Sequence, residues 1–267
     1  MTGTAVEPFI GDALQRVRSR QPLVQCLTNT VTTSFVANVL LALGASPAMV
    51  DIRGEAGLLA GSGCGLLINL GTPPPDQRNA MLEAATAARG ASSPWVLDPV
   101  GVGTLPVRTE LARQLVALRP GIIRGNASEI RALAGLGAGG RGVDATDTVE
   151  AAEQAAVRLA GDSGAVVAVS GAVDLVTDGV STVRIANGDP LFTRITGAGC
   201  ALGAVLAAFA VVADEPWQAA VAGAVCYGVA GELAAARCAG PGSFAVELLD
   251  AIAGLNEQTV LRRSRVS

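Results

Sequence analysis

The run Ile195-Thr-Gly-Ala-Gly-Cys-Ala-Leu-Gly203 carries the densest chemistry in the chain. Two glycines one residue apart permit a tight turn, and a long apolar helical pattern begins directly after them. A glycine loop feeding a helix N-terminus presents unpaired N–H groups and the positive end of a dipole, which suits an anion such as phosphate. Cys200 falls in the first turn of that helix, where a thiolate is also favoured.

Three further polar residues stand just past apolar runs. Asp98 follows 95–97, Arg124 follows 122–123, and Ser170-Gly171 follows 166–169; Asn69 lies inside the run 66–70 and is less cleanly placed. In parallel α/β sheets, ligands bind outside the carboxyl ends of the strands, so Asp98, Arg124 and Ser170 are expected to share one rim with the loop 197–200. Each also has a plainer reading. Asp98-Pro99 suits a turn, and Asn126-Ala-Ser-Glu129 has the spacing of a helix cap with a capping-box glutamate. Arg124 could serve a surface ion pair as well as a phosphate. Ser170-Gly171 marks many turns. Two carboxylates, Asp98 and Glu129, beside a triphosphate would suffice to position Mg²⁺, which prefers oxygen ligands. Phosphoryl transfer from a nucleotide is the chemistry this set requests, with charge met by helix N–H groups, Arg124 and the metal.

The absences narrow the choice further. The 267 residues contain no histidine and no lysine; all 19 basic residues are arginine. Histidine-activated serine or cysteine nucleophiles are excluded within one chain, as are histidine-ligated metals, Schiff-base lysines and the lysine-bearing P-loop. A general base must be Asp, Glu, Cys or Tyr. The lack of histidine argues against a cysteine hydrolase built on Cys200. A non-catalytic nucleotide-binding protein is the other rival class, and retention of both carboxylates argues against it.

A net charge of −4 gives no electrostatic reason to expect nucleic acid. Five cysteines, odd in number and without a C-x-x-C pair, read as free thiols of a cytoplasmic protein. The first eight residues lack the basic and apolar regions of a signal peptide. The apolar stretch 200–213 is shorter than the ~20 residues that span a bilayer, so a buried helix is expected and no membrane partner.

These residues need a scaffold to bring them together. Apolar runs at 23–27, 47–50, 65–70, 95–97, 122–123 and 166–169 alternate with helical patterns near 9–19, 33–43, 55–62, 76–89, 107–117, 127–134 and 148–160. That alternation predicts a mostly parallel sheet covered on both faces. Asp178-Gly179 between 174–177 and 181–186 predicts a hairpin forming a small antiparallel edge. The last seventy residues read as helices ending in a frayed tail at Arg262, Arg263 and Arg265. The glycine-dense stretch 137–142 reads as a surface turn or as a flap near a ligand. No linker or repeat interrupts residues 1–267, which predicts a single domain.

Thr196-Gly-Ala-Gly-Cys200 resembles the anion-hole motif of the ribokinase-like kinases, most of which carry Asp where this chain has Cys200. Together with Trp95-Val-Leu-Asp-Pro-Val-Gly-Val-Gly103 and Ile123-Arg-Gly-Asn-Ala-Ser-Glu129, it resembles the hydroxyethylthiazole kinases. The likeness runs from about residue 20 to 255, through Leu27-Thr-Asn-Thr-Val31, Leu43-Gly-Ala-Ser-Pro-Ala-Met49, Ile68-Asn-Leu-Gly71, Gly142-Val-Asp144, Ala230-Gly-Glu232 and Pro241-Gly-Ser-Phe244. It implies a single ribokinase-like domain, a three-layer sandwich with helices on both faces of the sheet. It further implies ATP- and Mg²⁺-dependent phosphorylation of 4-methyl-5-(2-hydroxyethyl)thiazole for thiamine synthesis, by a homotrimer with sites between subunits. By the resemblance, Met49, Asn29, Val31 and Gly197 line the thiazole pocket. Arg124 and Ser170 contact ATP, and Asp98 and Glu129 serve Mg²⁺. Gly197, Ala198, Gly199 and Cys200 form the anion hole, with Cys200 facing the reacting hydroxyl. Ala198 and Ser170 stand where the family more often has threonine. A small, sulfur-containing ring suits Met and Val walls, although Met49 alone also reads as core. The related pyrimidine and pyridoxal kinases are the nearest alternative. Weakly charged, Ala-rich helical surfaces at 33–43 and 217–236 are the expected contacts of the trimer.

Overall fold

In a computed structural model, residues 7–137 and 149–267 are described, and most of the glycine-dense stretch 137–142, with Gly142-Val-Asp144, lies outside them. Eight strands form one sheet in the order β2-β1-β3-β4-β5-β6-β7-β8. Strands β1 (Leu23–Leu27), β2 (Ser46–Ala48), β3 (Gly65–Asn69), β4 (Trp95–Asp98), β5 (Ile122–Asn126) and β6 (Val166–Ser170) run parallel. β7 (Asp174–Thr177) and β8 (Thr182–Ile185) add the antiparallel edge around the Asp178-Gly179 turn.

Helices cover both faces, as continuous apolar strands require. On one face lie α1 (Glu7–Arg20), α2 (Thr33–Leu43), α8 (Ala198–Val212), α9 (Pro216–Ala235), α10 (Pro241–Gly254) and α11 (Glu257–Arg263). On the other lie α3 (Ala56–Ala60), α4 (Pro75–Ala91), α5 (Pro106–Ala117), α6 (Ala127–Leu133) and α7 (Val149–Ser163). Each face has its own apolar core, and the result is a three-layer α/β sandwich of the ribokinase-like kind. With aromatics at only 3%, the layers close through Ala, Val, Leu and Ile. Helix α9 is long and apolar enough to cross a bilayer, yet 78% of its most apolar 18-residue stretch is buried inside the fold, as befits a core helix.

Several boundaries depart from the sequence reading, each for a tertiary reason. β2 ends at Ala48 because β1, its one partner among the described residues, pairs with it over residues 23–25. β5 runs on past Ile123 because Arg124, Gly125 and Asn126 pair with Ala168, Val169 and Ser170 of β6. Their polarity hid them as strand residues. The C-terminal tail is not frayed. Arg184 and Ser267 exchange backbone hydrogen bonds at 2.8 and 3.0 Å, extending the sheet beyond β8. Arg265 Nη2 meets Glu232 Oε1 of α9 at 2.6 Å. The tail thereby covers an edge that would otherwise be open to pairing.

Candidate active site

Alternation along the strands aims four polar side chains at one place. Leu67, Val96, Ile122 and Ala168 face the core under α8. With a period of two, Asn69, Asp98, Arg124 and Ser170 occupy the same face two residues on, at the carboxyl ends of β3 to β6. The N-terminus of α8 sits over those ends. Gly197 caps it at φ +93°, a left-handed conformation that suits glycine. No side chain caps the helix, so the N–H groups of its first turn are free to meet an anion. A Cβ on Gly199 would stand 2.9 Å from Arg124 Nη1. Glycine at this position lets the guanidinium lie against the turn.

Arg124 is held on both sides. Its Nε and Nη2 donate to Ser170 Oγ at 3.2 and 2.8 Å, and Nη1 reaches Asp98 Oδ2 at 3.5 Å. This is an interior ion pair, with the arginine side chain 12% exposed and the aspartate 0%, so the surface-pair reading of Arg124 is set aside. Burial alone would lower the guanidinium, but Asp98, Glu129, Asp174 and Cys200 together raise it and keep it charged. Burial pushes Asp98 up to about 7, aided by Glu129 and opposed by Arg124 and by the Asn69 hydrogen bond. Its Oδ1 is buried and has no hydrogen-bond partner among the described residues.

Glu129 fulfils the capping-box reading. Asn126 Oδ1 accepts from the Glu129 N–H at 2.9 Å, and Glu129 Oε2 accepts from the Asn126 N–H at 2.9 Å. Its Oε1 also takes the Gly101 N–H at 3.0 Å, tying the loop after β4 to the start of α6. Each oxygen keeps a second lone pair, so a structural role leaves room for another ligand.

Cys200, at the third position of α8, is half-buried. Burial pushes its thiol up, and Asp98 adds to this; hydrogen bonding from Thr32 and Asn29 and the charge of Arg124 oppose it. Cys200 is therefore a neutral thiol at neutral pH. The one tyrosine, Tyr227, is no base: its buried hydroxyl donates to Ala198 O at 3.0 Å, and burial raises it further. It braces the anion loop from below, while Phe192 stacks on it at 4.9 Å.

Asn29 lies in the buried turn after β1, and Val31 beside it is 70% exposed. Met49 packs half-buried against the same core that Phe35 and Cys200 border. A Cβ on Gly197 would meet Thr32 Cγ2 at 3.0 Å, which places the anion loop against the α2 entrance. A cleft of about 420 Å³ opens at the opposite ends of the strands, between Trp95, Arg119 and Asp214, and holds none of these residues.

The sequence reading did not assign Asp174 or Asn69 a part. Asp174 accepts from the Gly171 N–H at 2.9 Å, and burial raises it to about 6. Its only signal in the sequence is its place at the start of a strand.

The hydroxyethylthiazole kinase family model matches residues 14–258. The chain belongs to the hydroxyethylthiazole kinase family. It is therefore a kinase that phosphorylates hydroxyethylthiazole for thiamine synthesis, with ATP as co-substrate. The hydroxyethylthiazole kinase of Clavibacter sepedonicus is 59% identical, over all of this chain and 98% of that protein. That of Corynebacterium glutamicum (strain R) is 51% identical over 93% of this chain and 94% of its own length. The solved structure of the Pyrococcus horikoshii OT3 hydroxyethylthiazole kinase protein superposes with a TM-score of 0.90, at 37% identity over 97% and 98% of the two chains. A Staphylococcus aureus pyridoxal kinase in complex with pyridoxal reaches 0.60 at 19% identity, over 79% of this chain and 88% of its own, and shares the fold.

Proposed function

We propose that the rim formed by β3 to β6 and α8 is where this kinase transfers the γ-phosphoryl group of ATP to the side-chain hydroxyl of the thiazole. The observation that carries this reading is the buried Asp98–Arg124 pair lying directly under the uncapped N-terminus of α8. Arg124, braced by Ser170, binds ATP phosphate oxygens through charge-assisted hydrogen bonds. The N–H groups of Ala198, Gly199 and Cys200 meet the charge on the transferred group, where a loose transition state makes positioning and neutralisation the main work.

A divalent cation fits the donors present. The partnerless buried Oδ1 of Asp98 is an oxygen in need of a positive partner, and Glu129 supplies a second carboxylate. An all-oxygen set completed by phosphates and water suits Mg²⁺. Bound there, Mg²⁺ would screen the phosphate charge and hold the phosphates in place.

Asn29, Val31, Met49 and Gly197 form the thiazole side, with Cys200 facing the hydroxyl. Val31, Leu41, Ile52 and Leu58 are 55–78% exposed and apolar, and all lie in the elements around the β2 edge. Such a surface fits burial against neighbouring copies, and we place the homotrimer contact there. The 217–236 helix, also expected to share it, keeps most of its apolar residues in the core and offers less surface. The five free cysteines accord with a cytoplasmic enzyme.

ADP should form only when ATP, Mg²⁺ and the thiazole alcohol are all present, from a particle near the mass of three chains in light scattering. Equal ATP consumption in excess EDTA would remove the metal role; turnover with pyridoxal or a pyrimidine alcohol instead would reassign the acceptor. A fully active single chain would remove the trimer.

A neutral Cys200 already holds its own proton, so its contribution is to orient the hydroxyl, whose proton passes late to an oxygen of the transferred phosphoryl group. Cys200→Ala should keep slow, measurable turnover, and Cys200→Asp should keep or raise the rate. Wild-type rates from the alanine variant would reduce the thiol to packing.

A further inference from the structure

We infer that Asn69 is the positioning residue that links the acceptor side of this site to its phosphate side. The inference rests on the roles given above to Cys200, Asp98 and Arg124. Asn69 is fully buried at the end of β3, in register with Asp98 of β4. Its Nδ2 donates to Asp98 Oδ2 at 2.7 Å, the same oxygen that Arg124 approaches. Its Oδ1 accepts two bonds, from the Gly71 N–H at 2.9 Å and from Asn29 Nδ2 at 3.2 Å. The Asn29 amide in turn reaches Cys200 Sγ at 3.3 Å. One unbroken chain of contacts thus runs from Cys200 through Asn29, Asn69, Asp98 and Arg124 to Ser170.

The chemistry of position 69 is demanding. The carboxylate of Asp98 needs a donor, and the amide of Asn29 needs an acceptor, within reach of one short side chain. An amide with a single methylene supplies both without charge. The Gly71 N–H fixes which end is oxygen, because the rotated amide would set two N–H groups against each other there. Gly71 is also the only residue type that fits: a Cβ there would lie 2.6 Å from Asn29 Cβ and Nδ2. The turn after β3 therefore presses Asn29 against Asn69 and directs its N–H toward the sulfur. In a buried network of this kind, orientation passes from one member to the next, and loss of one member is felt beyond its own contacts.

Asn69→Leu keeps the volume and removes both functions. Two readouts separate positioning from mere packing. In the nucleotide-free, metal-free protein, alkylation of Cys200 by iodoacetamide, followed by peptide mass spectrometry, should slow by about threefold or more, although residue 69 does not touch the sulfur. The loss of the Asn29 N–H from the thiolate is the cause; the rates are compared at pH 9, above the Asp98 value of about 7, so that relief of the thiol by a neutral Asp98 does not mask it. In turnover, kcat should fall on the order of 10- to 100-fold, with a smaller change in either KM. That loss should shrink several-fold in a Cys200→Ala background, since coupled residues are non-additive. A circular-dichroism melt confirms the fold; if the leucine variant does not fold, Asn69→Ser, too short to span Asn29 and Asp98, gives the same readings. An unchanged Cys200 alkylation rate, together with additive kinetics, overturns the inference. The alkylation readout does not depend on the substrate, so it stands or falls apart from the proposed reaction.

Discussion

Asp98→Asn should lower turnover by about 10²- to 10³-fold, the scale of removing one preorganised electrostatic group. The amide keeps the shape of the carboxylate and can still accept the Asn69 hydrogen bond, so the loss reports charge. The same variant should change how ligand-free stability depends on pH. Burial moves Asp98 from near 3.8 when unfolded to about 7 when folded. Below about pH 4 the carboxyl is neutral in both states and folding carries no penalty. Between 4 and 7 the folded chain retains a proton that the unfolded chain has lost, so stability falls as pH rises, and above 7 the penalty is complete. Its upper bound is on the order of 4 kcal/mol. Thermal melts of the ligand-free wild type from pH 4 to 8 should therefore slope downward, with Asp174 adding a smaller share near pH 6. Asp98→Asn should flatten most of that slope. Parallel curves for the two proteins, or a rate loss under tenfold, would count against the role given to Asp98.

Arg124→Ala should raise the KM for ATP by roughly 10- to 100-fold, from the ~1.5–3 kcal/mol of a charge-assisted contact, and leave that for the thiazole far less affected. The asymmetry follows from position. Arg124 touches Ser170 and Asp98 and lies against Gly199 at the anion loop, whereas the residues assigned to the thiazole sit on the β1–α2 side. Arg124→Lys should recover only part of the affinity. An ammonium keeps the charge but is a point donor, unable to bond Ser170 through two nitrogens while reaching Asp98. Loss confined to thiazole binding would put Arg124 on the wrong side of the site.

Local chemistry made a good part of this site legible in the amino-acid sequence. The left-handed Gly197 before an apolar helix, the Asn126–Glu129 capping box and the polar residues closing apolar runs are all written within a few residues of one another. Such signals survive because turns, caps and strand alternation depend on near neighbours. The missing histidine and lysine excluded whole mechanisms without any coordinates. Asn69 illustrates the limit. Its pattern is that of an amide inside an apolar strand, and its importance comes from Asn29 and Asp98, forty and twenty-nine residues away.

Only the folded chain decides which strand ends become neighbours and how deeply they are buried. The placement of β3 between β1 and β4 sets Asn69 beside both of its partners. Burial also sets the state of Cys200, where desolvation pushes the thiol up against the hydrogen bonds and the charge that would lower it. It also turns α9 from an apparent surface helix into core, and bridges the tail to the free edge of β8. Sequence periodicity reports which face of an element is apolar; register, depth and partner follow from packing over the whole molecule, and these set the charge state and reach of every group in the site.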